Sequence, residues 1–410
     1  MHLVIYEGSF WSDFAPLTLT RPAFLLRSGA STLLEKQLRA IRPTRLTLWV
    51  RDELAELVRQ RVEVPSGITV SVNTPLDDEP ALLVAGRTIH MSRFEVPPSP
   101  CVVVIDDPDH GSGWIKMAYT RSPGLSHADV FAASARWKTL RDLPHTMPQA
   151  RFPRHWADLV AWNEESIVTD SIHWTDAPPT GATMVRPENI HAREGVVISP
   201  GVVLDASRGP ILLDRHCHIG ANSIVEGPCY IGVHTRITPL SLIRPGTSIG
   251  PVCRVGGEVS NTIIMGYTNK SHDGFLGDSY IGEWVNMGAG TTTGNLKSTY
   301  GEIKLARGRS LVDTGRQLLG VGIGDHAKLA TNTLLPAGGY VGVASMLGAS
   351  RRVDKSVPSF RFITDDADEP FNPDKACEVA ARMQSRRQQN FSQLHKQLLA
   401  YAQRAAADIE

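Results

Sequence analysis

The chain has 410 residues, enough for two or three domains with a large core. Its 42 lysines and arginines balance its 42 aspartates and glutamates, which argues against a general binder of nucleic acid or of membrane surfaces. No apolar run approaches the roughly 20 residues that span a bilayer, and the N-terminus lacks the features of a secretory signal. We therefore expect a soluble cytoplasmic protein with no nucleic-acid partner and no membrane partner.

Strands and helices alternate in the predicted elements of the first 150 residues. The predicted strands are LVIYE, RLTLWV, ITVSVN, ALLVAG and CVVVID. The predicted helices are 31–41, behind a serine cap, then 52–62, and a third within 151–171. This alternation favours a parallel sheet in an α/β domain, which we place at residues 1–175.

From residue 190 the apolar residues recur every six positions, a period that fits neither a helix nor a simple strand. The residues in phase are Ile190, Val196, Val202, Leu213, Ile219, Val225, Ile231, Ile237, Ile243, Ile249 and Val255, then Phe275, Ile281 and Met287, then Ile323, Leu329, Leu335, Val341 and Leu347. Glycine often follows the apolar residue, as expected at tight corners. The pattern predicts a parallel β-helix of three six-residue faces per coil, which we place at residues 186–355.

The tail, residues 356–410, is helical by composition from about residue 374 to residue 407. Its apolar stripe predicts packing on the β-helix or on a neighbouring subunit.

The stretch NKSHDGFLGDSY (269–280) interrupts the regular repeats and carries the most reactive side chains of this region. We interpret 269–274 as a loop expelled between coils, and such loops often carry function. His272 is the candidate general base, because an imidazole can take a proton from an attacking amine near neutral pH. Asp273 either orients that imidazole or serves the turn.

The motifs TLTRP…LLEK, IRPG and HDGFLGDSYIGEWVNMGAGT resemble a known enzyme family across nearly all of the chain. The family is the bifunctional N-acetylglucosamine-1-phosphate uridylyltransferase/glucosamine-1-phosphate acetyltransferase, and the closest resemblance is to its shortened homologues, the sugar nucleotidyltransferase group of the hexapeptide-repeat superfamily. The resemblance implies a left-handed β-helix, a homotrimer, and acetyl-CoA as a substrate lying between neighbouring β-helices.

The same resemblance implies roles for individual residues. His272 matches the family's catalytic base, while Phe275 stands where the family has a tyrosine, so a hydroxyl contact to the substrate is lost. Arg244, in Arg-Pro-Gly, matches a phosphate-binding arginine, as suits a guanidinium. Asn286 and Asn295 match asparagines that would hydrogen-bond the sugar, although both could instead be turn residues of the β-helix.

The N-terminal domain departs from the family, since YEGSFWSDF replaces the glycine-rich G-x-G-T-R loop that cradles a triphosphate. Arg21 and, less well, Lys36 are the remaining candidates to bind a nucleotide. Asp106 and Asp107 are the remaining candidates to bind Mg²⁺, which is needed only if this domain transfers nucleotides.

Three functions are therefore compared. The leading hypothesis is an acetyl-CoA-dependent N-acetyltransferase acting on an amino sugar phosphate, either alone or combined with sugar-1-phosphate nucleotidyl transfer. The second is a uridylyl- or thymidylyltransferase whose β-helix serves only to form the trimer. The third is a zinc enzyme using His216 and His234, which lie one coil apart and would stack.

Overall fold

The computed structural model describes residues 1–107, 111–147, 150–307, 310–348 and 353–410. Two compact units divide the chain. The first comprises Met1–Phe14, Arg21–Leu26 and Thr32–Arg154, and the second comprises Ala15–Thr20, Arg27–Ser31 and His155–Glu410. Within the described ranges, no helix is both long and apolar enough to cross a bilayer.

The first unit is built on a six-stranded mixed sheet. Up to residue 120 the strands are β1 (His2–Tyr6), β2 (Arg27–Ser28), β3 (Ser31–Thr32), β4 (Arg45–Trp49), β5 (Thr69–Val72), β6 (Ala81–Ala85), β7 (Cys101–Asp107) and β8 (Gly111–Thr120). The sheet order is β5-β4-β1-β6-β8-β7. The first four of these strands run parallel, as predicted, but β8 runs antiparallel to both β6 and β7. The sequence analysis missed β8, so the expectation of an all-parallel sheet was wrong.

Among the described residues, six α-helices precede residue 172, and the first four of them belong to the first unit. The helices are α1 (Leu33–Ile41), α2 (Asp52–Arg61), α3 (His127–Phe131), α4 (Ala135–Lys138), α5 (Trp156–Ala161) and α6 (Asn163–Ser171), with 3-10 turns at Ser9–Phe14, Ala23–Leu25, Thr139–Asp142 and Pro187–Asn189. The cap of α1 is Thr32 and not the predicted serine, because the Thr32 hydroxyl accepts from the Glu35 N–H and Glu35 reaches back to the Thr32 N–H. Helices α5 and α6 group with the second unit.

The second unit is a parallel β-helix with three faces. The first face comprises β10 (Ile190–Ala192), β13 (Ile211–Leu213), β16 (Cys229–Ile231), β19 (Thr247–Ile249), β22 (Ile263–Gly266), β25 (Tyr280–Glu283), β30 (Val321–Ile323), β33 (Gly339–Val341) and β35 (Ser356–Val357). The second face comprises β11 (Val197–Ile198), β14 (His218–Ile219), β17 (Arg236–Ile237), β20 (Arg254–Val255), β23 (Asn269–Lys270), β26 (Asn286–Met287), β31 (Lys328–Leu329), β34 (Met346–Leu347), β36 (Arg361–Ile363) and the antiparallel β37 (Asp368–Pro370). The third face comprises β9 (Thr183–Val185), β12 (Val203–Asp205), β15 (Ile224–Glu226), β18 (Leu242–Ile243), β21 (Glu258–Ser260) and β24 (Phe275–Gly277), with the further pair β27 (Thr292–Thr293) and β32 (Leu334–Leu335).

The six-residue period corresponds to the row of side chains that fills the β-helix. From Leu213 to Val255 every predicted residue is at most 2% exposed, and the row continues from Ile323 to Leu347. The predicted fold class is confirmed by this β-helix, the N-terminal α/β unit and the C-terminal helices. The three predicted domain boundaries stay a prediction.

Two details of the predicted period are wrong. Val255, Val259 and Ile264 are all fully buried although only four and five residues separate them, so the coil is shortened here and the period shifts. As a result Leu276, and not Phe275, points inward. Asn269 and Lys270 form strand β23, so 269–274 is a strand followed by a corner and not a loop expelled between coils.

The true insertion lies between β27 and β30 and contains the hairpin β28 (Ile303–Arg307) and β29 (Ser310–Arg316). The tail holds two helices, α7 (Pro373–Ser385) and α8 (Gln393–Ile409), where one was predicted. Helix α8 starts anew because Ser392 and His395 form a capping box.

Candidate active site

A row of polar side chains follows the outer surface of the second face of the β-helix. Register pairs Arg236 with Arg254, Arg254 with Asn269, Asn269 with Asn286, and Asn286 with Lys328, one residue per coil. Successive strands in such a stack lie roughly 4.8 Å apart. We call these five residues the polar ladder. They put side chains of neighbouring coils within reach of one ligand.

Helix α7 and the segment after it border the polar ladder. Just beyond the helix, Arg387 donates from Nη2 to the Asn269 Oδ1 at 2.5 Å. The space between contains a cavity of about 650 Å³. Its lining residues are Arg254, Asn269, Ser271, His272, Asn286, Met287, Gly288, Ala289, Lys328, Thr331, Arg382, Met383, Arg386 and Arg387. These described residues include four arginines and Lys328 but no carboxylate, so the cavity suits an anionic ligand. Burial lowers the pKa of Lys328 to about 7, and its Nζ donates to the carbonyl oxygens of Trp284 and His326, so the arginines carry most of the positive charge.

His272 lies on the corner between the second and third faces, with an exposed side chain that lines the cavity. Lys270 fixes this corner from within, because its buried Nζ donates to the carbonyl oxygens of His272 at 2.8 Å and of Gly256 at 3.0 Å. Gly274 has a φ of +113°, and a Cβ there would lie 2.2 Å from the Thr291 carbonyl oxygen. The corner that presents His272 is therefore held by a buried cation and by a position that only glycine fits.

Lys270 lies in the row of inward-pointing side chains between Ile264 and Leu276, at a position where the repeat normally has an apolar residue. Burial is the main cause that lowers the pKa of this lysine to about 8. Between pH 8 and the ordinary value of 10.5 the unfolded chain binds more protons at this site than the folded chain, so stability rises with pH across that interval.

We therefore predict that the wild type gains stability relative to Lys270→Met between pH 8 and pH 10.5. The unfolding free energy of the wild type minus that of Lys270→Met should rise by about 3 kcal/mol across this interval, as follows from the size of the pKa shift. Urea unfolding of both proteins across this range measures the difference, in which all other titrating groups cancel. A difference that stays constant with pH would contradict the assignment.

The structure brings together two of the predicted site residues and leaves the others apart. His272 and Asn286 line the same cavity. Arg244 lies outside it and pairs with Glu258, Nε to Oε1 at 2.7 Å, with both side chains partly exposed. Asn295 donates to the Asp278 Oδ2 at 2.7 Å. The substrate-binding roles of Arg244, Asn286 and Asn295 stay predictions.

Asp273 and Phe275 flank the His272 corner without lining the cavity. Asp273 has an exposed side chain, and its backbone oxygen accepts from the Gly290 N–H at 3.2 Å. Phe275 is half-buried at the start of β24. The Asp273 contact supports the turn reading of this residue, and both substrate roles stay predictions.

Asp278 forms a buried polar cluster under the third face. Its carboxylate accepts from the side-chain amides of Asn261 and Asn295, both at 2.7 Å. Burial raises the pKa of this carboxyl, and the two amide hydrogen bonds oppose that rise. Asn295 thus has a structural partner of its own, as the alternative reading of this residue required.

The sequence analysis missed the cations that line the cavity. Arg254 and Lys328 resemble ordinary surface residues of a repeat, and the arginines of the tail were interpreted only as part of a packing helix. One signal was present: Arg382 and Arg386 are four residues apart on one helical face, a like-charge pair that weakens a helix unless the charge has another use. Lys270, the lysine nearest to His272 in sequence, is buried and does not line the cavity.

In the first unit, the acidic side chains of the segment after β1 form ion pairs with arginines from elsewhere in the unit. Arg51 donates from Nη2 to Glu7 at 2.7 Å and lies 3.8 Å above the Trp11 ring, while Arg87 pairs with Asp13 at 3.3 Å. All four charged groups are buried. The cavity nearest this segment holds about 40 Å³, too little for a nucleotide.

The nucleotide-binding roles of Arg21 and Lys36 stay predictions. Arg21 and Lys36 are both buried and neither lines that cavity. Asp106 is exposed and accepts from the Gly113 N–H at 2.9 Å; the side chain of Asp107 lies outside the described part. In the described ranges no three acidic, histidine or cysteine side chains are grouped to hold an ion. The Mg²⁺-binding roles of Asp106 and Asp107 stay predictions, since Mg²⁺ is often held by one or two carboxylates together with substrate phosphates.

His216 and His234 stack as predicted, with ring centroids 5.0 Å apart and planes 10° from parallel. They occupy equivalent corners of successive coils, where His216 has a φ of +57° and His234 a φ of +55°. Where the chain is described, no third metal ligand joins them.

Comparison with known proteins finds one family model and several curated relatives that match part of the chain. Residues 3–174 match the family model described as sugar nucleotidyl transferase. The bifunctional protein GlmU of Synechococcus elongatus is 27% identical over 198 residues, and that of Desulfitobacterium hafniense is 31% identical over 199 residues. These alignments cover 43% and 44% of this chain and 40% of each relative, so the chain matches less than half the length of the curated relatives.

A solved structure titled UDP-N-acetylglucosamine acyltransferase is 16% identical and matches 46% of this chain and 69% of its own, at a TM-score of 0.21. A TM-score this low does not establish a shared fold or function. The resemblance seen in the sequence motifs is confirmed by the other comparisons: residues 3–174 match the sugar nucleotidyl transferase family model, and the chain is similar over part of its length to the bifunctional GlmU proteins.

Proposed function

We propose that the β-helix unit transfers an acetyl group from acetyl-CoA to the amine of an amino sugar phosphate of the glucosamine 1-phosphate type, in nucleotide-sugar biosynthesis. The observation that supports this is the cavity in which His272 and Asn286 lie beside a row of cations. We further propose a cytoplasmic homotrimer, as the resemblance implies. Mg²⁺ enters only if the N-terminal unit also transfers nucleotides.

In the proposed reaction His272 acts as the general base. The neutral imidazole accepts a proton from the amine as the amine nitrogen attacks the thioester carbonyl carbon, forming the C–N bond. The tetrahedral intermediate then collapses, the C–S bond breaks, and the coenzyme A thiolate leaves and takes up a proton. No covalent enzyme intermediate is required.

The oxyanion of this intermediate needs a hydrogen-bond donor at the cavity wall. Ala289 lines the cavity from the corner after β26, one coil beyond the His272 corner. Its backbone N–H donates to no group in the part of the chain that the structure describes. A donor of this kind, held by the rigid coil, suits the developing negative charge. Asn286 would orient the acceptor from the same wall.

The second candidate function is sugar-1-phosphate nucleotidyl transfer by the N-terminal unit, with the β-helix as a trimerisation scaffold. The match of residues 3–174 to the sugar nucleotidyl transferase family favours it. The buried Glu7–Arg51 and Asp13–Arg87 pairs weigh against it, because they neutralise arginines that a triphosphate would otherwise bind.

A screen that measures both products separates the two candidates. We expect purified protein with acetyl-CoA to release coenzyme A thiol in the presence of glucosamine 1-phosphate, and at the background rate without an acceptor. Parallel reactions with UTP or dTTP, Mg²⁺ and sugar 1-phosphates measure pyrophosphate. Pyrophosphate release without acceptor-dependent thiol release from any amino sugar phosphate would contradict the acetyltransferase proposal.

A further inference from the structure

Three arginines beside the His272 corner lack a carboxylate partner. Arg254, Arg386 and Arg387 make no ion pair with any described residue, whereas Arg382 nearby pairs with Glu378 at 3.1 Å. Arg387 donates to Asn269 from Nη2, but its Nε is buried and donates to no described group. A buried guanidinium nitrogen without an acceptor costs free energy, which a bound anion would offset.

These charges also repel one another. Arg236 and Arg254 are register partners on adjacent coils. The charge of Arg387 also lies close enough to repel the charge of Arg254. Burial first, and then Arg387 and Arg236, lower the pKa of Arg254. A purely structural reading exists, because Arg386 and Arg387 follow the C-terminal end of α7, where a cation interacts favourably with the helix dipole. That reading explains neither Arg254 nor the convergence of the three on one cavity.

Position along the β-helix indicates which anion fits. Arg387 contacts Asn269, three residues before His272, and Arg254 precedes Asn269 by one coil, roughly 4.8 Å. In an amino sugar 1-phosphate the amine and the phosphate sit on neighbouring ring carbons. In acetyl-CoA the whole pantetheine arm separates the thioester from the phosphates. A phosphate bound beside Asn269, on the strand that leads into the catalytic corner, therefore belongs to the acceptor and not to the distant phosphates of coenzyme A.

We infer that Arg254 and Arg387, assisted by Arg386, bind the phosphate group of the acceptor and thereby select a phosphorylated amino sugar. This inference rests on the proposed function for the identity of the acceptor. It assigns the phosphate-binding charge to the second face and to the segment after α7, and not to Arg244, which already pairs with Glu258. A planar guanidinium fork suits two phosphate oxygens.

Calorimetric titration of the full chain with glucosamine 1-phosphate, glucosamine and coenzyme A tests this inference without requiring turnover. Arg387→Gln and Arg254→Gln should each weaken glucosamine 1-phosphate binding by about 10- to 100-fold, the effect of losing one charged hydrogen-bonding group. Coenzyme A binding should stay unchanged in both variants. Arg404→Gln is the matched control, because Arg404 is exposed on α8 and does not line the cavity.

Unchanged binding of glucosamine 1-phosphate in both variants would overturn the inference, as would no binding of it by the wild type. If Arg254→Gln and Arg387→Gln weakened coenzyme A binding and left glucosamine 1-phosphate binding unchanged, the inference would also be overturned, because the arginines would then bind the acetyl donor. Thermal melts identify any variant that fails to fold. If one arginine variant does not fold, glucosamine 1-phosphate binding by the other variant tests the inference. The proposed function fails separately, if the wild type binds glucosamine 1-phosphate but transfers no acetyl group to it.

Discussion

His272→Ala is expected to lower the turnover number for acetyl transfer by about 10²- to 10⁴-fold, the usual contribution of a general base. The imidazole lines the cavity from a corner that Lys270 and Gly274 hold in place. Asp273 is exposed beside it, and the Lys270 ammonium is committed to backbone carbonyls. Initial rates of coenzyme A thiol release with glucosamine 1-phosphate give the ratio.

His173→Ala is the matched control, because His173 is an exposed histidine after α6 and does not line the cavity. It should retain wild-type turnover. Binding of glucosamine 1-phosphate should change little in His272→Ala, since the base acts on the proton and not on the phosphate. Turnover of His272→Ala within threefold of wild type would rule out His272 as the base.

Gly250→Ala is expected to destabilise the β-helix by at least about 3 kcal/mol. A Cβ at this position would lie 1.5 Å from the Met265 carbonyl oxygen on the next coil, well inside any allowed contact. The obstacle is backbone, so relief requires the two coils to move apart, which breaks the parallel hydrogen bonds between them. Such overpacking exceeds the ordinary cost of an added methyl group. Thermal or urea unfolding followed by circular dichroism measures the loss.

Gly294→Ala controls for the added methyl group itself. Gly294 follows β27, and a Cβ there meets its nearest heavy atoms at 3.4 Å or beyond, an ordinary contact. Its effect should stay below about 1 kcal/mol. Equal stability of the Gly250 and Gly294 variants would show that the coils are not packed as closely as the structure has them.

The β-helix was predictable from sequence because its interior imposes one repeating demand on the chain. Each face points an apolar residue inward on every coil, so Ile219, Ile237 and Val255 recur in phase along the second face. The shortened coil near Val259 was not predictable, because the period shifts there without a distinct sequence signal. Phe275 was therefore assigned inward in place of Leu276, and the strand beginning at Asn269 was taken for a loop.

The candidate site was only partly predictable, since it combines residues distant in sequence. His272 stands out because its motif is unusual within the repeats. Arg254 and Arg387 are separated by more than a hundred residues and meet only because α7 borders the second face. In the same way Lys270 breaks the apolar pattern, but only the structure shows that its ammonium donates to the His272 carbonyl oxygen and so fixes that corner. Local patterns report burial, whereas convergence of charges is a property of the fold.

One measurement tests the central claim most directly: thiol release and pyrophosphate release recorded separately for the wild type, His272→Ala and His173→Ala. The reactions contain acetyl-CoA and glucosamine 1-phosphate, or UTP, Mg²⁺ and N-acetylglucosamine 1-phosphate. We predict acceptor-dependent thiol release by the wild type and His173→Ala, and its loss in His272→Ala with any pyrophosphate release unaffected. Thiol release that survives in His272→Ala, or pyrophosphate as the only product of the wild type, would contradict the assignment of the β-helix cavity as an acetyltransferase site.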